Sequence, residues 1–266
     1  MLRYMFDRTI ILGKRIIYRR SGEPIQYGEH KLCFIPGTRP VRLKYINDDN
    51  IVVRNDALQI KFFLDNVKTG DFCIDVGGHL GQYAVLLGAL VSPLGRVITF
   101  EPNGKSRIIL NKNLLLNRFH HLVEIEPLAL FDKAGSHPFF IRGTDAMSSF
   151  VTSGFGSNSS VMDISEETVK TITLDDYLGA RKLTFPKWIK IDCEGAEINV
   201  LKGANQVLGS DTNIICELHP YAWNEFGTTW EDLLGLVRAN KKQIRYLDES
   251  VNIGNGAAYG TALITN

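Results

Sequence analysis

Phe72-Cys73-Ile74-Asp75-Val76-Gly77-Gly78-His79-Leu80-Gly81 decides the fold: a short apolar run ends in an acid and breaks at once into glycines. Such a run predicts a buried strand that hands over to a helix across a bound ligand. Glycines remove side chains where backbone must come close, and the first N–H groups of the following helix, expected over residues 82–90, stay free to donate. A second apolar run, Arg96 to Phe100, ends in Glu101, twenty residues beyond Gly81. An acid at that place can take both hydroxyls of a ribose.

Dinucleotide sites share this layout, so spacing has to separate the cofactors. A dinucleotide fingerprint runs G-x-G-x-x-G, whereas Gly77, Gly78 and Gly81 give G-G-x-x-G with Asp75 two residues ahead of the first glycine. A carboxylate there would repel a pyrophosphate, yet it suits a ligand carrying an ammonium and a sulfonium. S-adenosylmethionine is such a ligand, and the D-x-G-x-x-x-G pattern resembles motif I of the class I methyltransferases.

Around this turn, 266 residues with 44% hydrophobic and 22% charged side chains suffice for an ordinary globular core. A net charge of +1 supplies no field to recruit nucleic acid, and no such partner is expected. Cys33, Cys73, Cys193 and Cys216 fall singly, mostly in or beside strand-like runs, which predicts reduced thiols and a cytoplasmic location. No apolar run approaches the roughly 18 to 20 residues of a membrane span. Six basic residues against Asp7 in the first twenty, interleaved with apolar ones, form either a basic amphipathic helix for peripheral contact or a helix packed on its own domain.

The pattern divides at residue 68. Residues 1–68 make an N-terminal appendage: a helical start, a loop- and strand-rich stretch over 30–53, and a helix over 56–67. From 69 to 266 strands and helices alternate, the mark of an α/β domain with a mostly parallel sheet covered on both faces. Core strands are expected at 72–76, 96–100, 123–130, 188–191 and 213–216. Helices are expected at 82–90, 104–117 and 229–239, with another carrying Ile198, Val200, Leu201, Ala204, Val207 and Leu208 at helical period. Extra strands at 137–142 and 168–173 flank a Ser/Gly stretch over 152–160, either a lid or a surface excursion. Two terminal strands, 243–248 and 257–265, close the chain.

Ligands of open parallel sheets bind outside the carboxyl ends of the strands. Those ends carry Asp75, then Glu101-Pro102-Asn103, then Leu128-Ala129, then Asp192-Cys193-Glu194-Gly195, and last Glu217-Leu218-His219-Pro220. Asp192 and Glu194 also open a helix and would favour its dipole in any case.

Here the resemblance becomes specific. Asp75-Val76-Gly77-Gly78, Phe100-Glu101-Pro102-Asn103, Ser148-Ser149, Thr173 to Leu178, Ile189-Lys190-Ile191-Asp192-Cys193-Glu194-Gly195-Ala196-Glu197 and Leu201-Lys202-Gly203-Ala204 stand in the order seen in the FkbM family of S-adenosylmethionine-dependent methyltransferases. The match covers roughly residues 66–217. Two departures are small: Gly78-His79-Leu80 replaces the usual loop, and Cys193 stands where an aliphatic residue is common. The resemblance implies a Rossmann-like, seven-stranded class I fold with the last strand antiparallel, and O-methyl transfer to a hydroxyl of a small molecule or sugar.

Attack by a hydroxyl on a sulfonium methyl needs alignment, exclusion of water and an acceptor for the proton. His219 is one candidate base, with Glu217 two residues before it to orient the ring; Asp192 is the second, and Glu194 is a further catalytic candidate. Lys190 is given no role. Asp192, Glu217 and His219 also offer a divalent metal two carboxylates and an imidazole, the rival means of activating the hydroxyl. For the cofactor, the methionine end is expected over Asp75, Gly77, Gly78 and Gly81, with Asp192 adjoining. The ribose belongs on Glu101, and the adenine between Pro102-Asn103 and Leu128-Ala129. Tyr221, Trp223, Phe226 and Trp230 make either a stacking wall for an acceptor or, for most of them, core. A nicotinamide-dinucleotide oxidoreductase is the less favoured enzyme, and a non-catalytic binding protein the third reading.

Overall fold

The computed structural model describes residues 13–14, 17–18, 21–38, 40–143, 148–151 and 164–266. Most of the basic N-terminal segment and the whole Ser/Gly stretch over 152–160 lie outside the described residues.

Parallel strands buried on both faces need apolar side chains at nearly every position. Such runs form β3 (Phe72–Val76), β4 (Arg96–Phe100), β9 (Trp188–Ile191) and β10 (Asn213–Leu218). With β5 (Val123–Glu126), β11 (Gln243–Tyr246) and β12 (Gly260–Thr265) they give a seven-stranded sheet in the order β11-β12-β10-β9-β3-β4-β5. Only β12 runs antiparallel to its neighbours β10 and β11. This is the expected Rossmann-like class I methyltransferase sheet, with the last strand reversed.

Alternation along the strands sorts the sheet into two unlike faces. Ile74, Val76, Ile98, Phe100, Ile189, Ile191, Ile214, Cys216 and Leu218 form one apolar face. It packs against α4 (Leu174–Ala180), α5 (Glu197–Lys202), α6 (Asn205–Leu208) and α7 (Trp230–Ala239). Cys73, Val97, Trp188, Ile215 and Leu263 face the other way. They are covered by α1 (Ile51–Asn66), α2 (Gln82–Val91), α3 (Gly104–Leu116) and the hairpin of β1 (Glu23–Tyr27) and β2 (His30–Phe34). On this second face the positions next to the carboxyl ends are polar: Asp75 lies opposite Thr99 on β4 and Lys190 on β9, and Glu217 opposite Thr261 on β12.

Several boundaries differ from expectation for local reasons. Helix α1 begins at Ile51 because the Asn50 side chain accepts from the N–H groups of Val52 and Val53. The expected single strand over 123–130 is two: β5 ends at Glu126, and β6 (Ala129–Leu130) joins β7 (Gly135–Arg142) and β8 (Ile164–Ile172) in a separate three-stranded sheet. Gly203 divides the long helix expected near 198–208 into α5 and α6, its Cα running against the Phe131 carbonyl. Helix α4, opened by a Thr173 cap, is an element that periodicity did not announce.

Candidate active site

At the carboxyl ends of the central strands lies a cleft of two lobes. One is lined by Glu101, Pro102, Ala129, Ser148, Phe150 and Glu194 among others. The second is lined by Asp56, Gln82, Tyr83 and Lys190 among others. Gly77, His79 and Asp192 line both, so the lobes meet there.

The β3–β4 half is built from backbone. Gly77 has φ +84, and a Cβ there would overlap the Asp192 carbonyl oxygen, so only glycine lets the turn pass beside the end of β9. A Cβ on Gly78 would overlap the Thr99 hydroxyl, which fits a packing role at the lip of the second lobe. Gly81 is the left-handed N-cap of α2, packed on Leu110 and lining neither lobe. His79, at φ 44, is the non-glycine residue held left-handed within this turn.

The N–H of His79 donates to Glu101 Oε2 at 2.7 Å, and that of Asn103 to Oε1 at 2.6 Å. Burial pushes the Glu101 carboxyl up to about 7, these N–H groups acting against the rise. Asn103 caps α3 and donates to the Gly143 carbonyl, while Leu128 packs against the core. Asp75 stands behind the cleft and lines neither lobe: fully buried, it accepts from Thr99 Oγ1 at 3.0 Å and sits 3.7 Å from Lys190 Nζ. Burial raises its carboxyl above the usual range.

The β9–β10 half is built from charged side chains. Lys190 Nζ donates to Asp192 Oδ2 at 3.2 Å and lies 4.4 Å from the centre of the Tyr83 ring. Burial opposes ionisation of Asp192, but Lys190 and then His219 hold its carboxyl below the usual range. Glu194, at φ 52, accepts from Tyr221 at 2.8 Å, and burial pushes its carboxyl up to about 7. His219, 3% exposed, has Nε2 at 3.8 Å from Glu194 and 4.0 Å from both Asp192 and Glu217. Burial disfavours charge on the imidazole, yet Glu197 first and then Glu194 and Asp192 outweigh it and push the group up to about 10.

One expected pairing is replaced. His219 Nδ1 donates to Glu197 Oε1 at 2.9 Å, so Glu197, not Glu217, orients the ring. Glu197 is fully buried and also takes the Gly195 N–H and the Trp223 indole N–H. Glu217 is spent elsewhere, accepting from Gln59 at 2.8 Å and Tyr259 at 2.6 Å. Among the described residues, the three donors that converge within 4.8 Å of one another are Asp192, Glu194 and His219, with Glu194 where Glu217 was expected.

Sequence reasoning missed the contribution of α1 and gave Glu197 no role. Asp56, which accepts from Tyr83 at 2.7 Å and is pushed by burial up to about 7, enters the second lobe from α1. Asp56 and Gln59 sit three apart on one helix face, a spacing that could have signalled an inward polar stripe. Of the aromatic cluster, Trp223 is core and stacks on Trp230, whereas Tyr221 is half exposed beside Glu194. All four cysteines are free. Among the described residues no helix is long and apolar enough to cross a membrane.

Three comparisons bear on this cleft. The methyltransferase FkbM domain matches residues 75–244. The hexuronic acid methyltransferase AglP of Haloferax volcanii is 28% identical over 167 residues, 63% of this chain and 64% of that protein, so the match spans less than two thirds of the relative. Among solved structures, precorrin-6y C5,15-methyltransferase of Geobacter metallireducens GS-15 has a TM-score of 0.45 at 9% identity, covering 81% of this chain and 89% of that one. An S-adenosylmethionine-dependent O-methyltransferase of Thermotoga maritima has 0.43 at 15%, covering 94% and 79%. Scores this low carry no argument; the domain match does.

The residues present fit the cofactor. A side-chain-free turn at Gly77, a carboxylate at Glu101 anchored by two backbone N–H groups, and carboxylates of Asp56 and Asp192 in the adjoining lobe match a nucleoside joined to a cationic amino acid. The chain belongs to the FkbM-domain methyltransferases and uses S-adenosylmethionine as its cofactor.

Proposed function

We propose that this enzyme methylates a hydroxyl of a small molecule or sugar. The cofactor supplies an electrophilic methyl on sulfonium sulfur. Glu101 receives the ribose hydroxyls, Pro102 and Ala129 border the adenine, and Gly77 and Gly78 let the chain approach the methionine end. Asp56 faces the ammonium from α1, and Asp75 acts from behind by fixing Lys190.

The observation that carries the reading is the place of Asp192. It alone among the carboxylates of β9 and β10 lines both lobes, and Lys190 holds it ionised at their junction. A neutral hydroxyl has to lose its proton as it attacks, and a positioned carboxylate contributes about 10² to 10⁴-fold to such a step. His219 lines neither lobe and donates to Glu197, so it steadies the surrounding carboxylates while Asp192 takes the proton. The uronic-acid-directed relative supports a polyhydroxylated acceptor.

The test is transfer of tritiated methyl from S-adenosylmethionine to a panel of hexuronic acid glycosides, neutral sugars and amines. Label is expected in an alkali-stable methyl ether. Label confined to amines, or to an alkali-labile ester of the uronic acid carboxyl, would overturn hydroxyl methylation.

A further inference from the structure

We propose that Asp192, Glu194 and Nε2 of His219 form a binding site for one divalent cation of the Mg²⁺ or Mn²⁺ class, set beside the junction of the two lobes. The site stands on its own donors; only its use on an acceptor hydroxyl rests on the function proposed above.

Two features of His219 point to a ligand. It is 3% exposed, and among the described residues its ring hydrogen bond is made by Nδ1, while Nε2 faces carboxylate oxygens at 3.8 Å on Glu194 and 4.0 Å on Asp192 and Glu217. Its other nitrogen is fixed by the fully buried Glu197 at 2.9 Å. A carboxylate on one ring nitrogen is how proteins aim the other at a metal. Oxygens and nitrogens bound to a hard cation at about 2.1 to 2.4 Å stand about 3 to 4.5 Å apart, so the observed separations need little closure.

The surroundings favour a hard cation. Two carboxylates and one imidazole leave positions for water and acceptor oxygens. Tyr221 donates to Glu194, and Tyr259 donates to Glu217 just outside the donor set. Lys190 pairs with Asp75 and Asp192. A cation here would displace the proton from Nε2 of His219 to solvent, bind the acceptor oxygen and make its O–H more acidic. The O–H bond then breaks with its proton passing to Asp192 or water, the C–O bond forms as the C–S bond breaks, and the electron pair of that bond stays on sulfur as S-adenosylhomocysteine leaves.

The experiment is titration of EDTA-stripped full-length protein with MnCl₂, free Mn²⁺ being read by electron paramagnetic resonance. S-adenosylhomocysteine binding is measured calorimetrically on the same preparation. One saturable equivalent is expected, with a raised melting temperature, and affinity at least tenfold weaker in Glu194→Gln. His219→Asn serves as second variant should the first melt early. Absence of saturable Mn²⁺ binding with and without S-adenosylhomocysteine overturns the site, as does unchanged affinity in both variants. If Mn²⁺ binds and S-adenosylhomocysteine does not, the metal site stands and the placement of the cofactor fails; the converse result removes the metal site alone.

Discussion

The two halves of the cleft solve different problems with different materials. At β3 and β4 a single carboxylate, Glu101, is anchored by backbone N–H groups from His79 and Asn103, and its neighbours are glycines, a proline and an alanine. At β9 and β10, Asp192, Glu194, Glu197 and Glu217 crowd one imidazole, within reach of Lys190. A holder needs shape and fixed dipoles, which backbone supplies without changing charge state. A reactive centre needs groups that can accept charge, and only side chains supply those.

The largest expected effect lies in the second half. Asp192→Asn keeps shape but removes the proposed proton acceptor, and turnover should fall about 10³-fold in single-turnover methyl transfer. A fall of less than tenfold would move the proton to another group. In the first half, Glu101→Gln should weaken S-adenosylhomocysteine by about 10 to 100-fold, since two hydrogen bonds to a charged acceptor are lost or weakened.

The same carboxylate gives the binding half a pH signature. Burial raises Glu101 to about 7 in the folded protein, so the stability its neutral form contributes is fully present below the ordinary glutamate value and lost as pH rises through 7. Cofactor affinity should run the other way, because in the proposed placement the ribose hydroxyls donate to the ionised form. Calorimetry should show S-adenosylhomocysteine binding about tenfold tighter at pH 8 than at pH 6, and Glu101→Gln should flatten that slope. The smallest effect is expected behind the reactive half: Trp223→Phe loses the indole donor to Glu197 and should cost about 1 kcal/mol of stability in urea unfolding.

The same contrast explains how much was legible in the sequence. Gly77, Gly78 and Glu101 announce themselves because a turn and a strand end are local, and their spacing along the chain is the geometry itself. Four of the five parallel strands, β3, β4, β9 and β10, were visible because burial on both faces demands nearly continuous apolar runs, whereas β5 alternates and its end at Glu126 was not. The charged half was legible only as a set of strand ends. That Glu197 reaches His219 across 22 positions, and that α1 brings Asp56 into the second lobe and Gln59 to Glu217, depends on packing between elements distant in sequence. Asp75 was expected at the ligand because it precedes the glycines, but strand alternation turns it onto the inner face with Lys190 and Thr99. The break at Gly203 was hidden because helical period continues through it.

The division of labour is tested most directly by one calorimetric series: S-adenosylhomocysteine affinity of the wild type, Glu101→Gln and His219→Asn at pH 8. Affinity should fall at least tenfold for Glu101→Gln and stay within about threefold for His219→Asn, which alters a side chain lining neither lobe. Equal affinity in wild type and Glu101→Gln, or a larger loss at His219, would contradict the assignment of the cofactor to the backbone-built half of the cleft.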